Sequence, residues 1–269
     1  MSTLIAAAQM QSSAVPEENL VKAEAVLEIA RGRGAKLVVF PELFMSWLAP
    51  GEFEATHTRK VSQLLDGTFV TELAKAAHRM HVWVVAGVLE TAPDTESKAY
   101  NTTVVINNNG ELVAFYRKTH LFDAFGYKES AAFARGDTLF EPLETPFGRM
   151  GLFACYELRF PEVARSQVAR GVDFFIMPAG WVHGPLKEIQ WRHLIIARAV
   201  ENTAYMIACD QSGHQFLGRS MIVDPMGVVL AEGSEAEGII YADIDLLRVA
   251  EVRGKLPSVS HRWVELYSS

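Results

Sequence analysis

An α/β fold with helices covering a mixed sheet system is predicted by three features of this sequence. A strand–helix–strand order occupies residues 4–40, a second one occupies residues 149–177, and an antiparallel hairpin stands between them. Strands joined through a helix run parallel and strands joined by a tight turn run antiparallel, so both kinds of pairing are required. No Pro/Gly/Ser-rich linker divides the 269 residues, and 1–269 reads as one domain.

Leu4 to Gln9 is short and apolar, as a buried first strand should be. PEENLVKAEAVLEIARGRG follows, with Leu20, Ala23, Leu27 and Ala30 at spacings of three and four, acidic residues in the first turn and Gly34 as a stop. That pattern is an amphipathic helix. KLVVF, residues 36–40, is a continuous apolar run of the kind covered on both faces, and Pro41 ends it. A helix over 68–80 puts Phe69, Leu73, Ala76 and Met80 on one side, and a strand follows at 82–89. YNTTVVI and ELVAFYRK flank Asn108-Asn109-Gly110, residues that tolerate positive φ, which predicts the hairpin. Residues 119–147, rich in Gly, Phe and charge with weak periodicity, form a long excursion suited to walling a site.

The second unit has an apolar run at 149–154, a helical stretch at 161–170, a stop at Gly171 and the strand DFFIM at 173–177, ended by Pro178. ARGRGAKLVVFPE set against VARGVDFFIMPA suggests two related halves, although a similarity this short also arises by chance. A helix over 186–201 carries Leu194, Ile195 and Ile196 in succession, so it is expected to be covered on both sides. Strands are predicted at 204–209, 217–223, 227–230 and 238–243, with turns at Asp224-Pro225-Met226-Gly227 and around Gly233. A short helix at 245–252 precedes a tail with little pattern of its own.

Charge and cysteine usage narrow the function. The net charge of −7 is interspersed, so neither a basic footprint for nucleic acid nor a polybasic run for an anionic membrane is present, leaving small molecules or proteins as partners. Two cysteines make no disulfide framework and are expected to stay reduced. MSTLIAAAQMQSS lacks the basic start and long apolar region of a signal peptide, and no stretch reaches membrane-span length, so the expected location is the cytoplasm.

In an α/β sheet, side chains at strand ends project from a rigid platform into a crevice. Three stand out there: Glu42 after strand 36–40, Lys118 at the end of the hairpin, and Cys155 after the run 149–154. A thiol becomes a nucleophile when a base or cation, or a helix start, promotes its deprotonation. Glu42 could take the proton. Lys118 could hold the thiolate and then the oxyanion of an attacked carbonyl, together with the Tyr156 N–H. Glu129, in the excursion, could position substrate or water and keep Lys118 charged. Taken alone, each has an inert reading: Cys155 as a buried core thiol, Glu42 as a turn residue facing solvent, Lys118 as an exposed strand end. Cys209, inside the apolar AYMIAC, reads as core, and His120, between apolar residues in THLF, as structural. His78 and His81 lie three apart without a further pair at zinc-ligand spacing, and neither a phosphate loop nor a dinucleotide fingerprint is present, so neither metal nor nucleotide is expected.

Read together, these segments resemble the nitrilase superfamily of carbon–nitrogen hydrolases. LVVFPELF matches its glutamate motif at Glu42, YRKTHLF its lysine motif at Lys118, and GLFACYELRFPE its cysteine motif at Cys155; the second glutamate maps onto Glu129 in GYKES. AAAQM, RAVENTAYMIAC, GRSMIVDPMG and LPSVSHRWVELY extend the likeness over nearly the whole chain. The resemblance implies a four-layer α-β-β-α sandwich, commonly dimerised through helices and tails, here with a tail from about 253. It implies an amidase with Glu42 as general base, Cys155 as nucleophile, and Lys118 with the Tyr156 N–H as oxyanion donors, working without metal or organic cofactor on a small linear carboxamide. A nitrilase or N-carbamoyl amidohydrolase on the same machinery is the alternative. Tyr156, where nitrilases carry Trp or Gly, favours the amidase branch with ω-amidases and deaminated-glutathione amidases, whose CYDLRFPE appears here with Glu157 in place of aspartate. Trp181 in PAGWVHGPL is a candidate pocket wall or plain core, and Arg159 a candidate partner of a substrate carboxylate or of a neighbouring acid.

Overall fold

The computed structural model describes residues 2–47, 55–95, 97–213 and 215–267. In chain order the elements are β1 (Ser2–Gln9), α1 (Pro16–Gly32), β2 (Leu37–Val39), α2 (Ala55–Val61), α3 (Thr68–Met80), β3 (Trp83–Thr91), β4 (Ala99–Ile106), β5 (Leu112–Arg117), β6 (Phe133–Ala134) and β7 (Leu143–Thr145). There follow β8 (Gly148–Leu152), α4 (Pro161–Val168), β9 (Phe174–Ala179), α5 (Lys187–Asn202), β10 (Tyr205–Asp210), β11 (Met221–Val223), β12 (Val229–Glu232), β13 (Gly238–Asp245) and α6 (Leu246–Lys255).

Two sheets result, one ordered β13-β1-β2-β3-β4-β5 with β6 beside β4, the other β12-β11-β10-β9-β8-β7. Both repeat one pattern. Three parallel strands form the centre (β1-β2-β3 and β8-β9-β10), two antiparallel strands extend one side, and an antiparallel strand closes the other. This shared topology accords with the related halves suggested by the two proline-ended strand motifs.

The period-2 alternation of strand side chains sorts the apolar residues into three cores and hence four layers. Ile5, Leu37 and Val39 from one sheet meet Leu152, Phe174 and Ile176 from the other. On the outer face of the first sheet, Ala6, Ala8 and Val38 pack against Ala23, Leu27 and Ala30 of α1 and Phe69 and Leu73 of α3. On the outer face of the second, Phe175, Met177 and Met206 pack against Val163 and Val168 of α4 and Trp191 and Ile195 of α5. The expected α-β-β-α sandwich is therefore present, and Cys209 lies in its middle, its thiol donating to the carbonyls of Ala8 and Val39 at 3.4 and 3.2 Å.

Four details differ from the sequence reading. β8 stops at Leu152, where its register with Ile176 ends, so Cys155 lies beyond the strand and opens a single 3₁₀ turn, Cys155–Arg159. Pro178 does not end β9. The strand runs on to Ala179, and because β8 has already stopped, the missing N–H forfeits no bond on that side. Residues 217–220 are not strand, since Gly218 and Arg219 adopt φ of +69° and +55° and break the ladder before Met221. Finally, α5 is covered on one face within this chain: Ile195 is buried, Leu194 and Ile196 are half-buried, and Ile189 and Val200 are exposed.

This topology gathers the strand ends. β5 is two antiparallel reversals away from β3 and so runs the same way as β2 and β3. The carboxyl ends of β2 and β5, the start of β4, and the ends of β8 and β9 therefore open on one side of the sandwich, the usual place for a site in such sheets.

Candidate active site

Glu42, Lys118, Glu129 and Cys155 all line one cavity of about 580 Å³. Glu42 follows β2 and is buried. Its loop lies directly on β3 at Gly87, where a Cβ would stand 2.4 Å from the Leu43 nitrogen and 2.7 Å from the Glu42 Cα; glycine is what allows this approach. Lys118 follows β5, and its ammonium donates to Glu42 Oε1 at 2.8 Å and to both oxygens of Glu129, at 3.1 and 2.9 Å. Glu129 stands at the start of a short 3₁₀ turn in the excursion, where its Oε2 also accepts the Phe122 N–H.

Asn101 at the start of β4 was not singled out by the sequence, and it ties the set together: its amide donates to Glu42 at 2.8 Å and to Glu129 at 2.9 Å. The available signal was an asparagine in a strand, AYNTTVVI, otherwise rich in β-branched residues. Gly180, just beyond β9, contributes a backbone N–H to Glu42 Oε2 at 2.8 Å, so this carboxylate is held from both sheets.

These bonds fix the charges. Burial opposes the Lys118 charge, but the carboxylates of Glu129 and Glu42 outweigh it and hold the ammonium well above its ordinary pKa. Burial, reinforced by the Glu42 carboxylate, pushes the Cys155 thiol well above its ordinary range, with Lys118 pulling the other way. Both shifts favour a neutral thiol beside the Lys118 ammonium over a standing thiolate. A thiol held this way could act as a nucleophile only with its deprotonation coupled to attack, the task of an adjacent base.

Cys155 has φ of +45°, a left-handed conformation that costs a non-glycine residue about 1–2 kcal/mol. Glu157 holds it there. Its carboxylate is fully buried, with Oε2 accepting the Ala154 N–H at 2.8 Å and Oε1 accepting the Tyr116 hydroxyl at 2.6 Å, the Thr119 hydroxyl at 2.7 Å and the Thr119 N–H at 3.0 Å. Glu157 therefore sits outside the cavity lining and fastens the cysteine turn to the residue after Lys118. His120 belongs to the same support, its ring stacked on Phe160 and 3.3 Å from Glu157.

The excursion forms a wall, as expected: Phe122, Phe125 and Tyr127 line the cavity, and the Tyr127 hydroxyl donates to Gln215 opposite. Trp181 is buried. It lines a narrow recess off the same walls with Cys155, Tyr156 and Lys187, so it is at once core and pocket wall. Among the described residues Arg159 pairs with no acid: one guanidinium nitrogen donates to Gln190 at 2.7 Å, the group lies over the Trp181 ring, and its Nε is buried without a hydrogen bond to any of them. Among the described residues, no cluster of three or more His, Cys, Asp or Glu side chains has metal-binding geometry.

The chain matches the carbon–nitrogen hydrolase family over residues 4–254. It is 36% identical over 259 residues to a protein of Escherichia coli O157:H7 named deaminated glutathione amidase, across 96% of this chain and 97% of that one. Against human omega-amidase NIT2 the identity is 31% over 277 residues, covering 98% and 96%. The crystal structure of the C. elegans NitFhit protein superposes with a TM-score of 0.92 at 30% identity, covering 99% of this chain but 66% of that longer one.

Proposed function

The chain belongs to the carbon–nitrogen hydrolase family, and on that premise we propose that it hydrolyses a small linear carboxamide to a carboxylate and ammonia through a thioester at Cys155. The convergence of Glu42, Lys118 and Cys155 from separate strand ends on one cavity carries this reading. The names of the bacterial and human relatives, an amidase of deaminated glutathione and an omega-amidase, support a linear amide as the substrate.

Glu42 takes the Cys155 proton as sulfur attacks the amide carbonyl. The tetrahedral oxyanion is met by the Lys118 ammonium and the Tyr156 N–H, donors set in place before charge develops. Protonated Glu42 then gives its proton to the amide nitrogen, which is too basic to leave as an anion, and ammonia departs. Water enters, Glu42 removes one of its protons, and the hydroxide adds to the thioester. Collapse releases the carboxylic acid, and the sulfur regains its proton. Glu129 keeps Lys118 charged and in place throughout.

The direct test is an acyl adduct. Rapid acid quench during turnover of an ω-amide should give a Cys155 peptide heavier by the acyl group, with Cys209, sealed between the sheets, unmodified. No adduct, together with no ammonia from ω-amides of dicarboxylic acids, deaminated glutathione, aliphatic amides, carbamoyl compounds or nitriles, would refute the proposal. Turnover confined to the last two classes would instead identify a carbamoylase or nitrilase.

The same reading includes a homodimer. Ile189 and Val200 on the outer face of α5, and Trp263, Val264, Leu266 and Tyr267 in the tail, are exposed apolar residues of the kind that mark an interface. Light scattering at micromolar concentration is expected to give twice the mass of one chain; a monomer mass would remove this part of the proposal.

A further inference from the structure

Lys187 breaks the usual rules for a lysine. It is the first residue of α5 and only 4% exposed, and its ammonium lies over three aromatic rings: Trp181 at 4.6 Å, Phe122 at 4.9 Å and Phe125 at 5.1 Å to the centroids. Among the described residues no carboxylate pairs with it. A cation at a helix N-terminus also opposes the helix dipole, so local structure offers no compensation. Cation–π contact attracts the ammonium but gives its N–H groups no acceptor.

The neighbouring charges sharpen the anomaly. Arg159 lies 4.6 Å over the same Trp181 ring, with its Nε buried and unpartnered, so two cations share one aromatic plate. The nearby acid is Asp210, which is fully buried, accepts the Trp181 N–H at 2.7 Å, and is pushed well above the carboxylate range by that burial. It lies near enough to favour the Lys187 charge but makes no salt bridge to it. Lys187 and Trp181 line the recess that also touches Cys155, Tyr156, Gly180 and Phe122, and Phe122, Cys155 and Gly180 line the main cavity as well. The recess, about 10 Å³, has room for one water-sized group such as a carboxylate oxygen.

We infer that Lys187 is a specificity-determining residue whose ammonium, with Arg159 behind it, receives a carboxylate on the acyl half of the amide substrate. The inference rests on the amidase reading above and deepens it. A primary carboxamide loses only ammonia, so any anionic group it carries belongs to the acyl half and stays with the enzyme through the thioester. A cation beside Cys155 then discriminates at every step up to product release. The aromatic plates hold the side chain in place while leaving its N–H groups free for the ligand.

The test compares glutaramate with valeramide, amides of the same carbon chain with and without a terminal carboxylate. Wild-type protein should favour glutaramate, and in Lys187→Met the ratio of the two kcat/KM values should fall roughly 30-fold, mostly through KM, as for loss of a hydrogen bond to a charged group. Lys187→Arg should restore part of the ratio. An equal loss with both substrates, or an unchanged ratio, would overturn the inference. Calorimetric titration of glutarate into Cys155→Ala and into Cys155→Ala/Lys187→Met separates it from the parent reading. If no amide is hydrolysed, the amidase reading fails, and the titration alone decides on Lys187: a roughly 30-fold weaker Kd sustains the anion site and an unchanged Kd removes it.

Discussion

Lys118→Met is expected to lower kcat/KM for any amide substrate about 100- to 1000-fold, the scale of losing a preorganised oxyanion donor, and to destabilise the fold by about 3–5 kcal/mol, the scale of breaking a buried ion pair from one side. Lys118 is the only cation bonded to Glu42 and Glu129 among the described residues, and all three side chains are largely buried. Removing the ammonium leaves two carboxylates joined through the Asn101 amide with no counter-charge. One of them must then take a proton, and if Glu42 takes it the thiol loses its base. Stability and activity should therefore fall together. Lys118→Arg, which keeps the charge in a larger and differently shaped head, should recover stability better than rate. Urea unfolding and an ammonia assay across the three proteins check this. A methionine variant within tenfold of wild-type activity would show that Lys118 does not meet the oxyanion.

How much of this could be read from the sequence depended on whether a residue's role was local. Glu42, Lys118 and Cys155 each stand where a strand gives way to a loop, and such positions show in the apolar runs before them. The strands themselves were legible because a run such as KLVVF has few other uses. What the sequence obscured was set by neighbours far along the chain. Pro178 reads as a terminator until β8 is seen to stop short of it. Leu194, Ile195 and Ile196 imply cover on both sides of α5, yet in this chain only one side has it. Asn101 and Lys187 are ordinary polar residues in sequence, and only the fold places one between two carboxylates and the other against three rings. Glu157 and Arg159, two and four residues after Cys155, resemble a matched pair of selectivity residues, but the 3₁₀ turn sends one into the support beneath the cysteine and the other beside Trp181.

Glu157→Gln should reveal that support. At neutral pH it is expected to cost about 3 kcal/mol, since hydrogen bonds to a buried charge contribute about 1.5–3 kcal/mol each and an amide offers an N–H group where the site supplies donors. Burial acts to raise the Glu157 pKa, and the donors from His120, Tyr116, Thr119 and Ala154 outweigh it, leaving it below the ordinary 4.5. A carboxylate depressed in the folded state contributes stability that is complete above its unfolded pKa and is lost as pH falls through the folded value. The gap between wild type and variant should therefore be widest at neutral pH and close progressively below about 4.5. Chemical denaturation at a series of pH values measures this, and a gap that widens in acid would reverse the assigned sign. Activity should fall as well, by roughly 100-fold in kcat with KM little changed, because Glu157 holds the turn carrying Cys155 against Thr119 beside Lys118, and a displacement of about 1 Å at reacting atoms costs that much. Glu157→Asp keeps the charge but shortens the reach by one methylene. It should recover part of both losses, whereas a role limited to filling space would leave Gln, which has the size and shape of Glu, near wild type and the shorter Asp impaired.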